Sequence, residues 1–173
     1  IYLNNSRAQN SREYDSNVFA PLNKILLNDP AERKFIIVHL LGTHMKYDYR
    51  YPTEYEIFKN RTGLPDWVRD DQVPVINSYD NAVLFNDFVV SSLIGAMASS
   101  QANGFLVYFS DHGEDVFDSP GHAILGRNES KPTPPMYTVP FIVWSSEKWR
   151  ALHPRNFAGQ LGRRYGTSHF IHT

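Results

Sequence analysis

The feature that most constrains this chain is a hydrophobic run that ends abruptly in polar residues, GFLVYFSDHGE from Gly104 to Glu114. The aromatic and branched side chains of Phe105 to Ser110 predict a buried strand, as in a parallel sheet covered on both faces. In open α/β sheets, ligands bind just beyond the carboxyl ends of such strands. Asp111 and His112, a carboxylate and an imidazole at that position, therefore indicate a metal site rather than a surface turn.

The rest of the sequence alternates between helical and strand patterns. Apolar residues at helical spacing predict two helices, and hydrophobic runs predict three strands. The helices are Arg12 to Asn28 and Ile76 to Ser100, the second capped by Asn77 or Ser78, and the strands are Lys34 to Leu40, Phe105 to Ser110 and Val139 to Ser145. Because this alternation is typical of βαβ units, we predict an α/β fold with a mostly parallel sheet flanked by helices.

Two segments lack a regular pattern. Gly42 to Val75 is rich in tyrosine, proline and charge, and a loop of that length inside a compact domain usually has a binding function. Lys131 to Pro140 is rich in proline, which predicts a surface loop without regular structure.

Composition excludes several classes of function. The chain has 173 residues, enough for one domain, and its formal net charge of -1 gives no reason to expect nucleic acid as a partner. It has no cysteine, which excludes disulfides, thiolate metal sites and a cysteine nucleophile. No apolar run approaches the roughly 20 residues that cross a bilayer, and no signal peptide is recognisable.

The candidate ligands gather after two predicted strands. His44 follows the first strand, Asp111 and His112 follow the second, and His122 comes shortly afterwards. A carboxylate oxygen together with an imidazole nitrogen suits zinc, whereas magnesium and calcium prefer oxygen ligands alone. Adjacent strand residues point to opposite faces, so the two ligands can converge only if the chain turns, and Gly113 tolerates positive φ and close backbone approach.

Other residues have both a functional and a structural interpretation. His39 lies inside the first strand and is expected to be a core histidine. The charged residues after His112 read as a solvated face, with Glu114 kept as a group that could support the ligands. The run from Lys46 to Tyr51 could grip a phosphate-bearing substrate or could pack the loop onto the sheet, and both interpretations stay open.

Several ordered motifs resemble bacterial phosphoethanolamine transferases, closest in look to the branch that modifies heptose in the lipopolysaccharide core. These enzymes belong to the sulfatase-like, alkaline phosphatase superfamily. The motifs are IIVHLLGTHMKYDYRYP at Ile36 to Pro52, YDNAVLFNDFVVSSLI at Tyr79 to Ile94, GFLVYFSDHGEDVFDSPGH at Gly104 to His122 and YTVPFIVWSSEKW at Tyr137 to Trp149.

The resemblance implies roles for particular residues. Asp111 and His112 fall on the family's zinc-binding pair. His44 and His122 fall on histidines associated with the phosphoethanolamine group or a second metal, so they are expected to be catalytic and substrate-binding. Apart from the resemblance, Lys46 of the aromatic and basic run is a candidate for binding the substrate. At the second histidine the sequence reads Gly121-His122, where some members have histidine before glycine.

The resemblance also implies an activity and a location. The family passes phosphoethanolamine from phosphatidylethanolamine to a threonine and then to lipopolysaccharide, at the periplasmic face of the inner membrane. Its threonine, an acidic zinc ligand and its membrane helices precede the matched region. We therefore expect residues 1–173 to be a soluble, carboxyl-terminal part of the catalytic domain that holds half of the metal site, binds zinc weakly and has no turnover alone.

Three alternatives remain at this point. A sulfatase or phosphodiesterase of the same superfamily would share these motifs, and so would a phosphoglycerol transferase. A noncatalytic binding domain could keep the scaffold and use its tyrosine-rich loop to hold lipopolysaccharide or a partner protein.

Overall fold

The computed structural model of the chain describes residues 1–4, 10–155, 159 and 161–172. The strands are β1 (Tyr2–Asn4), β2 (Ile37–His39), β3 (Phe105–Phe109), β4 (Asp115–Val116), β5 (Leu125–Gly126) and β6 (Phe141–Ser145). The helices are α1 (Phe19–Asn28), α2 (Val73–Ser99), α3 (Pro134–Tyr137) and α4 (Glu147–Leu152), and short 3-10 turns occupy Asp15–Val18, Tyr47–Tyr49, Thr53–Tyr55 and Thr167–His172.

The core is organised around α2. Ala82, Phe85, Val89 and Leu93 share one stripe of this helix and are at most 5% exposed, at the i, i+3, i+4 spacing that faces a core. Residues from several segments pack against the stripe, namely Val18, Leu22, Tyr47, Tyr51, Val116 and Phe117. The predicted helix is thus confirmed, although it begins at Val73 rather than after a cap at Asn77 or Ser78, and Gln72 is the N-cap.

Buried asparagines of α2 hold the long segment that precedes the helix. Asn81 accepts hydrogen bonds from the backbone N–H groups of Ile57 and Phe58, each at 2.9 Å, and donates to the Phe58 carbonyl. Asn77 donates to the carbonyl of Asn60 at 3.0 Å. Since these bonds satisfy backbone groups that have no ladder partner, an irregular segment can lie against the core.

The α/β class is confirmed, but the prediction of a mostly parallel sheet is wrong for the described residues. β1 and β2 form a parallel pair with Leu3 opposite Val38. β3 pairs with β6 in antiparallel orientation, with Val107 opposite Val143, and β4 pairs with β5 in the same orientation.

The antiparallel pairing of β3 and β6 follows from the connection between them. Gly113, just beyond the end of β3, donates its N–H to the carbonyl of Met136 at 2.9 Å. The chain therefore returns to the carboxyl end of β3 before β6 begins, and β6 has to run back along its neighbour. A parallel partner would require a crossover to the opposite end of the sheet.

Three further expectations need correction. β3 is half-buried rather than covered on both faces, because Phe105 is 51% exposed and its partner strand exposes Val143 by 54%. His39 is exposed rather than packed in the core. The proline-rich segment contains the single-turn helix α3 with buried Met136, since proline is tolerated in the first turn of a helix.

One described helix, α2, is long and apolar enough to cross a membrane by length and composition alone, and 28% of its most apolar stretch is buried. The sequence patterns predicted no such run. The central helix of a folded domain passes the same test, and α2 supplies the main stripe of the core.

Candidate active site

The turn that follows β3 is built by its own residues. Ser110 donates from its hydroxyl to the carbonyl of His112 at 2.6 Å, and the N–H of His112 donates to Asp111 Oδ1 at 3.1 Å. These bonds turn the chain immediately after the strand. Asp111 and His112 consequently lie on one side of the turn, as the metal-site prediction requires.

The two side chains point their donor atoms towards a common space. His112 Nδ1 lies 2.9 Å from the carbonyl oxygen of Gly113, and because a carbonyl only accepts, Nδ1 carries the proton in the neutral ring and Nε2 has the lone pair. Nε2 is 4.0 Å from Asp111 Oδ2. A carboxylate oxygen and an imidazole nitrogen are ligand types that suit zinc, whose bonds to them are about 2.0–2.2 Å long; at the tetrahedral angle the two atoms would be about 3.4 Å apart, closer than they are in this structure.

Gly113 was expected to allow a positive φ and a close backbone approach, and the structure shows only the close approach. Its φ is not among the positive values, whereas Gly121 and Gly126 have φ of 89° and 85°. A Cβ at Gly113 would collide with the carbonyl oxygen of Pro135 and lie 3.1 Å from that of Thr138. The glycine is therefore needed for the close approach of the chain around α3.

Glu114 joins the β3 turn to the loop after β2. It accepts a short hydrogen bond from the hydroxyl of Tyr47. Burial, and then the bond to Glu114, raise the pKa of Tyr47 well above its usual range. Tyr47 packs edge-on against Tyr79 at 5.1 Å between ring centroids, and Tyr79 shares a side-chain hydrogen bond with Thr43. Glu114, which the sequence suggested as a support for the ligands, thus connects the turn after β3 to the loop after β2.

The loop that carries His44 is anchored by a buried carboxylate. Asp15, 7% exposed, accepts hydrogen bonds from the N–H groups of Leu41 at 3.1 Å and Gly42 at 2.7 Å. Arg50 is 4% exposed; burial lowers the pKa of its guanidinium, while the charge of Asp15 opposes that shift. These contacts hold the backbone two residues before His44.

The residues of the aromatic and basic run after His44 differ in whether they pack the loop or are free to meet a substrate. Tyr47, Arg50 and Tyr51 are buried, so these residues pack the loop onto the core. Lys46 is exposed and lines an open cavity of about 490 Å³ together with Asn10, His44 and Met45. Its position is compatible with a role in binding an anionic substrate.

His122 lies in the connection between β4 and β5. Its Nδ1 is 2.7 Å from the carbonyl oxygen of Phe117, so in the neutral ring Nδ1 donates and Nε2 has the lone pair. The same hairpin adjoins the His44 loop, because a Cβ on Gly126 of β5 would lie 2.9 Å from the Met45 methyl group. The hairpin thus carries one candidate histidine and contacts the loop that carries another, His44.

Asp115 organises this hairpin and was not anticipated. It is fully buried and accepts hydrogen bonds from the hydroxyls of Ser119 and Thr133 and from the N–H groups of Asp118 and Ser119. Burial alone would raise the pKa of its carboxyl group, but these hydrogen bonds outweigh burial and lower it. A carboxylate that follows a charged run is not distinguishable from a solvated one by sequence pattern alone.

Comparison with known proteins identifies the family of the chain. The family model described as Sulfatase matches residues 2–173. The chain belongs to the sulfatase family.

Two relatives within this family are similar to the chain over nearly its whole length. The sulfatase-family chain is 52% identical over 173 residues, 99% of its length, to phosphoethanolamine transferase EptC of Escherichia coli (strain K12). It is 54% identical over 174 residues to phosphoethanolamine transferase CptA of Salmonella typhimurium. The predicted resemblance is confirmed. The chain spans 30% of the length of each of these curated relatives.

A solved structure agrees with the likeness in sequence. The crystal structure of the C-terminal periplasmic domain of EcEptC from Escherichia coli, in complex with Zn, superposes with a TM-score of 0.91 and 52% identity. The alignment covers 99% of this chain and 48% of that one. The predicted partial sulfatase-like fold is therefore confirmed.

The structure brings the five predicted site residues, His44, Lys46, Asp111, His112 and His122, only partly together. Asp111 and His112 form a pair at 4.0 Å. Across residues 1–4, 10–155 and 161–172, no group of three or more histidine and acidic side chains is arranged to hold a metal. The expectation that Asp111 and His112 are half of a metal site stays a prediction.

Sequence reasoning missed three residues that contact His122. Trp67 stacks on its ring, and Gln72 and Arg69 donate to its backbone carbonyl. All three lie in the segment from Gly42 to Val75, where no motif or period marks them.

Proposed function

We propose that this chain is part of a phosphoethanolamine transferase that moves phosphoethanolamine from phosphatidylethanolamine to lipopolysaccharide, on the core heptose or on lipid A. The observation that carries the proposal is the Asp111–His112 pair at the end of β3, with His112 Nε2 4.0 Å from Asp111 Oδ2. Identity of 52% to a phosphoethanolamine transferase over nearly the whole chain supports the choice of substrate.

We further propose that residues 1–173 form the carboxyl-terminal part of a catalytic domain at the periplasmic face of the inner membrane. The support is the alignment with 48% of a solved C-terminal periplasmic domain. In this proposal the threonine nucleophile, a further acidic ligand and the membrane helices belong to other parts of the protein. The 173-residue chain by itself would bind zinc weakly and would not turn over.

Asp111 and His112 would hold the zinc ion in this mechanism. Bound there, zinc would polarise the phosphoryl group and neutralise the charge that develops on it during transfer. The exposed Asp111 carboxylate, 88% accessible, leaves the site open to a phosphorylated substrate. His112 keeps its orientation through the bond from Nδ1 to Gly113, a common way of fixing the tautomer of a metal-binding histidine.

The remaining candidates would act on the substrate. The ammonium group of Lys46, exposed beside His44, would pair with a phosphate oxygen. His44 would contact the phosphoethanolamine group from the cavity that it lines. His122, with an unprotonated Nε2 in the neutral ring, would accept the proton of an attacking hydroxyl.

The proposal is tested with the full-length protein, purified in detergent and supplied with phosphatidylethanolamine and lipopolysaccharide. We expect the mass of the lipopolysaccharide to rise by one phosphoethanolamine group, and His112→Gln to abolish the increase. Phosphatidylglycerol replaces the donor in a parallel reaction. Transfer of phosphoglycerol instead, or hydrolysis of a sulfate ester without transfer, would contradict the proposed substrate and favour the corresponding alternative.

A further inference from the structure

His122 has an unusual backbone conformation. Its φ is 46°, and Phe117 in the same turn has φ of 66°, although Phe117 is buried and neither residue is glycine. A side chain in this left-handed region costs roughly 1–2 kcal/mol, and such residues persist only where the surrounding contacts impose the conformation. At His122 these contacts include local bonds to Ser119 and Phe117 and further contacts from a distant part of the chain.

Gln72 holds the backbone of His122. This side chain is 1% exposed, and its Nε2 donates to the His122 carbonyl at 2.6 Å. Its Oε1 accepts from the N–H of Arg69 at 3.0 Å, which fixes the orientation of the amide. Arg69 also donates from its guanidinium to the His122 carbonyl at 3.2 Å. One carbonyl thus receives two hydrogen bonds from the segment that leads into α2.

Trp67 holds the ring of His122. The two rings are parallel within 8° and their centroids are 3.7 Å apart. The Trp67 side chain is nevertheless 41% exposed, whereas the neighbouring Val68 is 2% exposed and fixes this segment to the core. Stacking defines the plane of the imidazole, and the bond from Nδ1 to Phe117 defines its rotation within that plane. Nε2 is consequently presented in one direction.

We propose that Trp67 and Gln72 are positioning residues for His122, which together hold its imidazole in the Nδ1–H tautomer with Nε2 directed to the substrate. The proposal rests on the function proposed above for His122. The physical reason is that a preorganised ring loses less conformational freedom when the substrate binds. Neither Trp67 nor Gln72 is proposed to contact the substrate.

The tautomer is measurable without catalysis. The 173-residue chain is labelled with 15N in the histidine rings, and long-range proton–nitrogen correlation spectra are recorded at about pH 8.5, above the usual titration range of histidine. The His122 signals are assigned by their loss in His122→Gln. We expect a single Nδ1–H pattern for His122, which Trp67→Leu should convert to the averaged shifts of a tautomer mixture. Trp67→Phe, which retains an aromatic face, should restore the single pattern.

A matched control is present in the same chain. Trp149 lies over His153 with ring centroids 4.2 Å apart, away from the candidate ligands in sequence. Trp149→Leu removes an equivalent ring and should leave the His122 signals unchanged. Because Trp67 is half-exposed, its replacement should not unfold the chain, and Gln72→Glu, which keeps the acceptor but loses the donor, supplies a second variant.

Activity separates this proposal from the proposed function. In the full-length protein, Trp67→Leu should lower kcat by about 10-fold, the low end for groups that orient a functional residue, with KM for the lipid donor little changed. An unchanged tautomer in both Trp67→Leu and Gln72→Glu would overturn the positioning role. A tautomer shift with unchanged kcat would leave the positioning role intact and contradict the role of His122 in transfer.

Discussion

Two turns carry the candidate ligands, and they are held in opposite ways. The Asp111–His112 turn is stabilised by bonds between residues at most two positions apart in sequence. The turn that presents His122 is held by Gln72 and Arg69, which are 50 and 53 positions away. The side chains of the first turn are thus oriented by local bonds, although the residues that follow them bond to Met136 and Tyr47, whereas the carbonyl of His122 is held from a distant segment.

This difference separates two routes to a functional site. A local turn with an exposed carboxylate gains its final geometry when an ion binds between its ligands, because few protein contacts restrain the side chains. A turn held from a distance is preorganised before any ligand arrives. Removal of a ligand side chain from the first turn should therefore affect activity alone, whereas substitutions around His122 should affect stability and activity together.

Asp111→Ala is expected to have the largest effect, and it tests whether a ligand of the first turn contributes to activity without contributing to stability. We expect transfer by the full-length protein to fall by 10³-fold or more, on the order of the loss of a main electrostatic stabiliser, together with loss of bound zinc. Stability should change by less than about 0.5 kcal/mol, as for a surface site, because the side chain is 88% exposed. Transfer rate, zinc content and urea unfolding are measured on the same preparations.

Asp66→Ala is the matched control, since Asp66 is an exposed aspartate outside the candidate site. It should leave transfer, zinc content and stability unchanged. Full zinc content in Asp111→Ala would show that the ligand assignment is wrong. A loss of several kcal/mol in stability would show that the turn is not local.

Each turn contains one glycine, and substitution of these glycines compares a steric collision with backbone strain. Gly113→Ala places a Cβ against the Pro135 carbonyl, and we expect unfolding free energy to fall by about 3 kcal/mol, the upper range for overpacking. Gly121 has open space around it but φ of 89°, so Gly121→Ala should cost about 1–2 kcal/mol from backbone strain. Denaturant unfolding of both variants compares the two costs. A larger loss of stability at Gly121 would show that backbone strain costs more than the steric collision at Gly113.

The sequence predicted the local turn and missed the distant one for a physical reason. Asp111 and His112 follow a hydrophobic run directly, so the strand, the turn and the ligands are contained in one short motif. His122 could be matched to a family histidine, but Trp67 and Gln72 have no periodicity and no neighbouring motif. Their role depends on which side of the hairpin the preceding segment reaches, which is decided by tertiary packing.

The fold was predictable to a similar extent. Helices α1 and α2 and the central residues of β2, β3 and β6 follow from hydrophobic pattern, which reflects local burial. The direction of β6 does not, because it depends on where the connection from β3 returns. The buried asparagines Asn77 and Asn81 were also not predictable, since their partners are backbone groups of an irregular segment.

Asp115→Ala tests how far the His122 hairpin depends on its buried carboxylate. The substitution leaves the N–H and hydroxyl groups of Asp118, Ser119 and Thr133, of which Ser119 is buried, without their acceptor. We expect unfolding free energy to fall by about 2 kcal/mol, within the cost of unsatisfied buried polar groups. An unchanged stability would show that the hairpin is held by other contacts.

The charge of Asp115 predicts a pH dependence. Its pKa is lowered in the folded chain, so its ionised form contributes stability that is present above the unfolded value of about 3.9 and is lost as pH falls through the lowered pKa. Asp115→Asn keeps the shape and lacks the charge. The stability difference between the original chain and this variant should therefore be constant above about pH 4 and shrink below it.

The smallest expected effect concerns the contact that joins the two loops, the hydrogen bond from Tyr47 to Glu114. Tyr47→Phe and Glu114→Gln each weaken it, and the double variant should lose less than the sum of the two, with a coupling of about 1 kcal/mol in denaturant unfolding. Tyr51→Phe, which removes a hydroxyl 3.2 Å from Ser78 Oγ, combined with Glu114→Gln supplies an additive control. Coupling near zero in the first pair would mean that the Asp111–His112 turn has no support from the loop of His44, and that its geometry depends on local bonds alone.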